Sequence, residues 1–259
     1  MSGPAVLLIE GYLLSSVLLV FFAGVLVGGI NSLAAGASAI SFPILVALGV
    51  PPVSASITNS LGVSTANSFA LIPHREKLRK FWGEYKFLAL LSSAGALIGV
   101  TLLLVFPEKS FMKVVPFLLL FATLSLLIPN TQKNISPLSE SRIARTERIL
   151  IFISGIYCGY FGPGQGTMIV AILIRKRDPK TVNIAKNLII SLTSVLTSLI
   201  YIFSGDVRWG YCLALIFGSS LGGFLGGKAH NKVSTQFLKQ LVIGVGFLSS
   251  LWLFKRYYL

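Results

Sequence analysis

Gly159-Tyr160-Phe161-Gly162-Pro163-Gly164-Gln165-Gly166 puts four glycines and a proline into eight residues of an otherwise apolar run. Glycine adopts backbone angles that other residues avoid, and proline lacks an N–H, so such a stretch favours a break in a helix. Gly28-Gly29-Ile30-Asn31-Ser32-Leu33-Ala34-Ala35-Gly36-Ala37-Ser38 lies at the matching place in the first half of the chain. Shifting the sequence by 128 residues sets Gly36 on Gly164, Ile44-Leu45 on Ile172-Leu173, Pro51 on Pro179, Asn59 on Asn187, Thr65 on Thr193, Gly95 on Gly223 and Gly99 on Gly227, without a gap. The pattern reads as one membrane module present twice.

Composition sets the solvent. The 259 residues are 54% hydrophobic and 12% charged, and the mean hydropathy is +0.82, outside the range of ordinary soluble domains. Apolar runs fall at about 11–31, 34–49, 53–72, 87–106, 111–128, 149–161, 163–174, 182–204, 209–229 and 236–254. The second, sixth and seventh are shorter than the roughly 20 residues of a straight span, which suits half-helices or re-entrant pieces. The first has no basic residue before it and no cleavage-like end after it, so it reads as a retained span. The expected fold is therefore an all-α integral membrane protein with about ten transmembrane or re-entrant segments in two five-segment repeats. Residues 1–130 form the first repeat, 131–148 a cytoplasmic linker and 149–259 the second repeat.

The charges orient these segments. With the N-terminus outside, sixteen of the 22 basic residues fall in inner connections: 73–86, 131–148, 175–180 and 228–239. Five (Lys109, Lys113, Arg208, Lys255 and Arg256) fall outside, and Lys186 alone lies within a segment. That is a strong positive-inside bias for a bacterial inner membrane. The basic 73–86 connection corresponds under the shift to 201–214, which holds only Arg208, so matching connections carry opposite charge, as inverted repeats require. The net charge of +14 is explained by orientation and by anionic membrane lipids, and nucleic acid is not an expected partner.

Inverted repeats place a substrate site near the midplane, where broken helices meet. The free amides of a helix N-terminus there favour an anion. Gly36, Gly164 and Gly166 would allow close backbone approach, and Asn31, Ser38 and Gln165 stand beside the breaks. Thr58-Asn59 and Lys186-Asn187 follow each break by one segment, and two related carboxamides could face one oxyanion from both sides. Asn67 lies two turns beyond Asn59. Close helix packing is the alternative for the glycines, and interhelical bonding for each Asn. Lys186 either supplies a positive charge to an anion or reaches toward the inner surface. Cys158 stands next to the second break. Cys158 and Cys212 are the only two cysteines, which gives no disulfide framework and no zinc spacing.

All eight acids lie in connections or at segment ends, and no His, Asp or Glu cluster exists to hold a metal or run hydrolysis. Neither enzyme activity nor a cofactor is expected. An anion leaving a negative interior moves downhill by about 2.3 kcal/mol per charge per 100 mV, which favours export without proton coupling.

Gly36-Ala37-Ser38-Ala39-Ile40-Ser41-Phe42-Pro43-Ile44-Leu45, Gly49-Val50-Pro51, Ala55-Ser56-Ile57-Thr58-Asn59, Gly162-Pro163-Gly164-Gln165-Gly166, Gly205-Asp206-Val207-Arg208-Trp209 and the glycine-rich Leu221–Gly227 run, taken together, resemble the sulfite exporter TauE/SafE family of membrane permeases. The likeness spans nearly the whole chain. It implies an internally duplicated transporter of sulfite, thiosulfate, sulfonates or related anions. The chain departs from the family's denser glycine run at Ala35, Ala37, Ser38 and Ala39, from an often-present proline at Ala171, and at Lys186, where a small or hydroxyl residue is expected. The expected function is alternating-access transport, in the export direction, of a small sulfur-containing anion. A channel or a cation-coupled uptake permease for small anions remains open, as does a non-transporting assembly factor. A homo-oligomer is compatible with the sequence, which does not fix the oligomeric state.

Overall fold

A computed structural model describes residues 8–9, 12–33, 36–127, 140–174, 177–204, 206–228 and 235–259. A short antiparallel pair, Leu8–Ile9 with Tyr12–Leu13, precedes the helices. The helices are α1 (Leu14–Leu33), α2 (Ser38–Ala47), α3 (Pro52–Leu71), α4 (Leu78–Val105), α5 (Glu108–Ser125), α6 (Glu140–Tyr160), α7 (Gln165–Leu173), α8 (Pro179–Phe203), α9 (Trp209–Lys228) and α10 (Thr235–Tyr258). A 3₁₀ turn, Ile72–Lys77, joins α3 to α4.

Among the described residues, five helical stretches are long and apolar enough to cross a membrane: Leu14–Leu33, Pro52–Val105, Pro179–Phe203, Trp209–Lys228 and Gln236–Tyr258. The second of these contains both α3 and α4. The distribution of side chains fits a lipid solvent. Phe22, Phe217 and Leu248 are each about two-thirds exposed on the outer surface, whereas Asn59, Asn67, Lys186 and Asn187 are buried. Water would favour the reverse. The chain is an integral membrane protein.

Two helices are short for a physical reason. With 10 and 9 residues, α2 and α7 rise about 15 and 14 Å at 1.5 Å per residue, roughly half of a 30 Å hydrocarbon layer. Each begins just after a glycine held in the left-handed region, Gly36 at φ +86° and Gly164 at φ +101°, where an L side chain is strained.

The helix boundaries differ most from the apolar runs at the starts of two helices. α4 begins at Leu78, because Phe81 and Tyr85, one turn apart, are buried and stacked at 5.8 Å against each other while Arg79, Lys80 and Lys86 stay exposed. α6 begins at Glu140, and its Glu147 forms a two-pronged ion pair with Arg177, at 2.9 and 3.0 Å, ahead of α8. Amphipathic helix thus extends beyond the apolar layer where basic residues had suggested loop.

Helices α1 and α9 pack along each other, as do α4 and α6; α3 lies against α9 and α8, α8 also against α4, and α5 against α10. Glycine permits the closest of these contacts. A Cβ on Gly28 would come within 2.2 Å of the Ser219 carbonyl oxygen, and one on Gly95 within 2.2 Å of the Phe152 carbonyl oxygen. The aromatic core packs around Phe161, which sits edge-on to Phe42 at 5.2 Å and to Tyr157 at 5.9 Å.

Candidate functional site

The site is built on the two interruptions. α1 stays helical through Leu33, so Gly28, Gly29 and Asn31 belong to a helix, and the described part of the first break is Gly36 and Ala37. α6 likewise runs through Gly159 and Tyr160, and the second break is Phe161–Gly164. The breaks lie close together. A Cβ on Gly36 would fall 2.8 Å from the Thr167 methyl carbon in the first turn of α7. The Ala39 N–H bonds the Gly36 carbonyl and the Thr167 N–H the Gly164 carbonyl, each at 3.1 Å, so it is the N–H groups ahead of these in each short helix that lie at the partial positive end of the dipole without a helical partner.

One cavity of about 40 Å³ opens between these starts. A water needs roughly 10–15 Å³ by the same measure, so the space suits a small solute. Of the residues expected to bind substrate, the structure brings Asn31, Gly36, Ser38, Asn59, Gly164, Gln165 and Gly166 to its wall, together with Asn67 and Cys158. Asn59 is buried and its Oδ1 accepts from the Ser41 hydroxyl of α2. Gln165 Nε2 donates to Ser92 Oγ at 2.9 Å. The Oε1 of Gln165 and the Oδ1 of Asn67 have no hydrogen-bond partner among the described residues, although both side chains are buried. A half-turn of the Gln165 carboxamide would let the Ser92 hydroxyl donate to it and would put its NH2 where the unpartnered oxygen stands.

Three expected residues lie off the wall. The Thr58 hydroxyl oxygen accepts the Arg208 N–H at 3.0 Å, just before α9. Asn187 is buried on the α8 stripe that continues through Ile190, Ser194 and Thr197, one turn short of the cavity, and its Oδ1 is unpartnered among the described residues. Lys186 is fully buried, and its Nζ donates to the Asn31 carbonyl at 2.7 Å. It therefore does not reach the inner surface; it sits behind the wall, on the end of α1.

Gly162, part of the second break read from the sequence, and Ser60, Val63, Ser64, Ile190, Ser194 and Thr197, which were not singled out there, complete the lining. The signal for some of them was periodicity. Asn59, Ser60, Val63, Ser64 and Asn67 recur at alternating one- and three-residue steps, a single face of α3.

The comparisons with known proteins give the family. The family model "Sulfite exporter TauE/SafE" matches residues 20–253. The chain belongs to the sulfite exporter TauE/SafE family. It is 27% identical over 243 residues to a "Probable membrane transporter protein" of Haemophilus influenzae, covering 89% of this chain and 91% of that one. It is 25% identical over 232 residues to "Probable membrane transporter protein ORF9" of Sinorhizobium sp, covering 86% of each. With "Probable membrane transporter protein YunE" of Bacillus subtilis it shares 28% over 163 residues, 56% of this chain and 60% of that one. No solved structure matches. Membership in this TauE/SafE family, with several apolar helices, makes the chain a membrane transporter by family.

Proposed function

We propose that the protein is a carrier of small sulfur oxyanions or organosulfonates, sulfite among them, working by alternating access in a bacterial inner membrane with its N-terminus outside. One observation carries the anion reading. The amide-bearing starts of α2 and α7, each set by a left-handed glycine, open on the same cavity beside Ser38, Asn59 and Gln165. Donors fixed in this way stabilise negative charge without reorganising.

The two-repeat reading is supported by the register of the elements. Shifted by 128 residues, α1 to α5 fall on α6 to α10, start on start to within about three residues. The pairing of α1 with α9 corresponds to that of α6 with α4, and α3 with α9 to α8 with α4. Opposite charge in matching connections supports the inversion and the outside N-terminus, and the downhill exit of an anion supports export.

The test is flux of labelled sulfite, thiosulfate and a small sulfonate into liposomes holding the purified protein. Saturable uptake that falls at least tenfold in Gln165→Ala and in Asn59→Ala is expected; transport indifferent to both substitutions would remove the site. A second reading, cation-coupled uptake, rests on the unpartnered carboxamide oxygens of Asn67 and Gln165, since hard cations take oxygen ligands. Flux that requires a sodium gradient would favour it over uncoupled export.

A further inference from the structure

The two interrupted helices, α1 and α6, leave carbonyls without helical partners where they stop, and these carry the negative end of each dipole. Their caps are not equivalent. At the end of α6, the Gly159 carbonyl accepts from the Tyr201 hydroxyl at 2.7 Å and the Phe161 carbonyl from the Ser56 hydroxyl at 2.8 Å. At the end of α1, the Ser32 carbonyl accepts from Asn183 Nδ2 at 2.8 Å and the Asn31 carbonyl from Lys186 Nζ at 2.7 Å. Asn31 and Gly159 correspond under the 128-residue shift, so one position is capped by a neutral hydroxyl and its counterpart by an ammonium.

Three further facts make that ammonium more than a cap. Asn31, whose carbonyl it holds, is itself on the cavity wall. Lys186 is fully buried, so water screens it little. No carboxylate pairs with it among the described residues, where the one ion pair is Arg177 with Glu147. In its protonated form Lys186 offsets the negative helix end that faces the cavity, and an anion entering beside Asn31 favours that form over the neutral amine.

We propose that Lys186 is a specificity-determining positioning residue: an ammonium behind Asn31, stabilised by the bound anion, that makes the cavity prefer a dianion to a monoanion of similar shape. The inference rests on the anion-carrier reading. Tyr201 gives the neutral counterpart, doing the same structural work on α6 without the charge.

The experiment measures binding of thiosulfate, a dianion, and methanesulfonate, a monoanion, to the purified full-length protein and its variants. Lys186→Gln keeps a donor for the Asn31 carbonyl and removes the charge. It is expected to lower the thiosulfate-to-methanesulfonate affinity ratio by on the order of tenfold, because each unit of ligand charge feels the lost cation separately. Asn183→Lys, which adds a cation at the Ser32 carbonyl, is expected to raise the ratio and serves if Lys186→Gln fails to fold. Tyr201→Phe is expected to leave it unchanged. A wild type that binds both anions, with a ratio unmoved by either charge change, would overturn this inference alone. A wild type that binds neither would overturn the carrier reading and this inference with it.

Discussion

Asn59 illustrates what a polar residue in an apolar helix must do. Its carboxamide is buried, so it needs partners, and it finds the Ser41 hydroxyl of α2 while bordering the cavity. Asn59→Ala leaves that hydroxyl only the Ser38 carbonyl, at 3.4 Å, and is expected to cost about 1 kcal/mol of stability in addition to weakening anion binding. Asn59→Asp separates the two effects. It preserves shape and acceptor but adds negative charge to the wall, so anion binding measured by titration should vanish while the protein still folds; retained binding would exclude Asn59 from the site. Asn59, Ser38 and Gln165 were legible in the sequence because carboxamides and hydroxyls beside a break are costly without a purpose. Ser64 and Thr197 were not, because a hydroxyl in a helix satisfies itself on its own backbone, as Ser64 does on the Leu61 carbonyl and Thr197 on that of Ser194. Asn187 and Lys186 stood out in the sequence, yet what they face depends on how far the cavity extends along α8, which no periodicity encodes.

For the helices, the breaks were legible but their extents were not. Gly28 and Gly159 both read as places to unwind, yet each sits in a continuous helix where a neighbour's backbone leaves no room for a Cβ: Ser219 for Gly28 and Ala96 for Gly159. One composition serves both packing and unwinding, and only the facing helix decides between them. The positive-φ glycines allow a controlled comparison. Gly49 has φ +85° with open space around it, whereas Gly164 has φ +101° and a Cβ there would fall 2.5 Å from the Ala122 Cβ. Gly49→Ala should cost only the backbone strain, about 1–3 kcal/mol, and spare transport. Gly164→Ala should cost that and the displacement of α5, lowering the melting temperature further and abolishing transport by shifting the start of α7. Equal melting temperatures for the two variants would mean that the α7 start tolerates repacking. A milder case is Asp178, which caps α8 by accepting from the Lys180 and Thr181 N–H groups. Asp178→Ala should cost about 1 kcal/mol in thermal unfolding without altering substrate affinity.

The whole molecule was the most legible scale, because hydropathy and charge act over many residues and average out local ambiguity. The all-helical class and the membrane setting follow from composition, while the depth and shape of the cavity required the packing of α3 against α8. A native thiol reports on how that cavity connects to the two sides. Cys158 lines it and is half-buried, whereas Cys212 is buried in the core. In a Cys212→Ser background Cys158 is the single reactive thiol, since the chain has only two cysteines. For a carrier, an impermeant thiol reagent should modify Cys158 from one face of the membrane at a time, and saturating sulfite analogue should slow the reaction several-fold. A substrate gradient imposed from the opposite side should then shift which face is reactive, because ligand binding can only redistribute states that differ in their affinity for it. Reaction from both faces at once, undiminished by substrate, would instead describe an open pore and would replace alternating access with a channel.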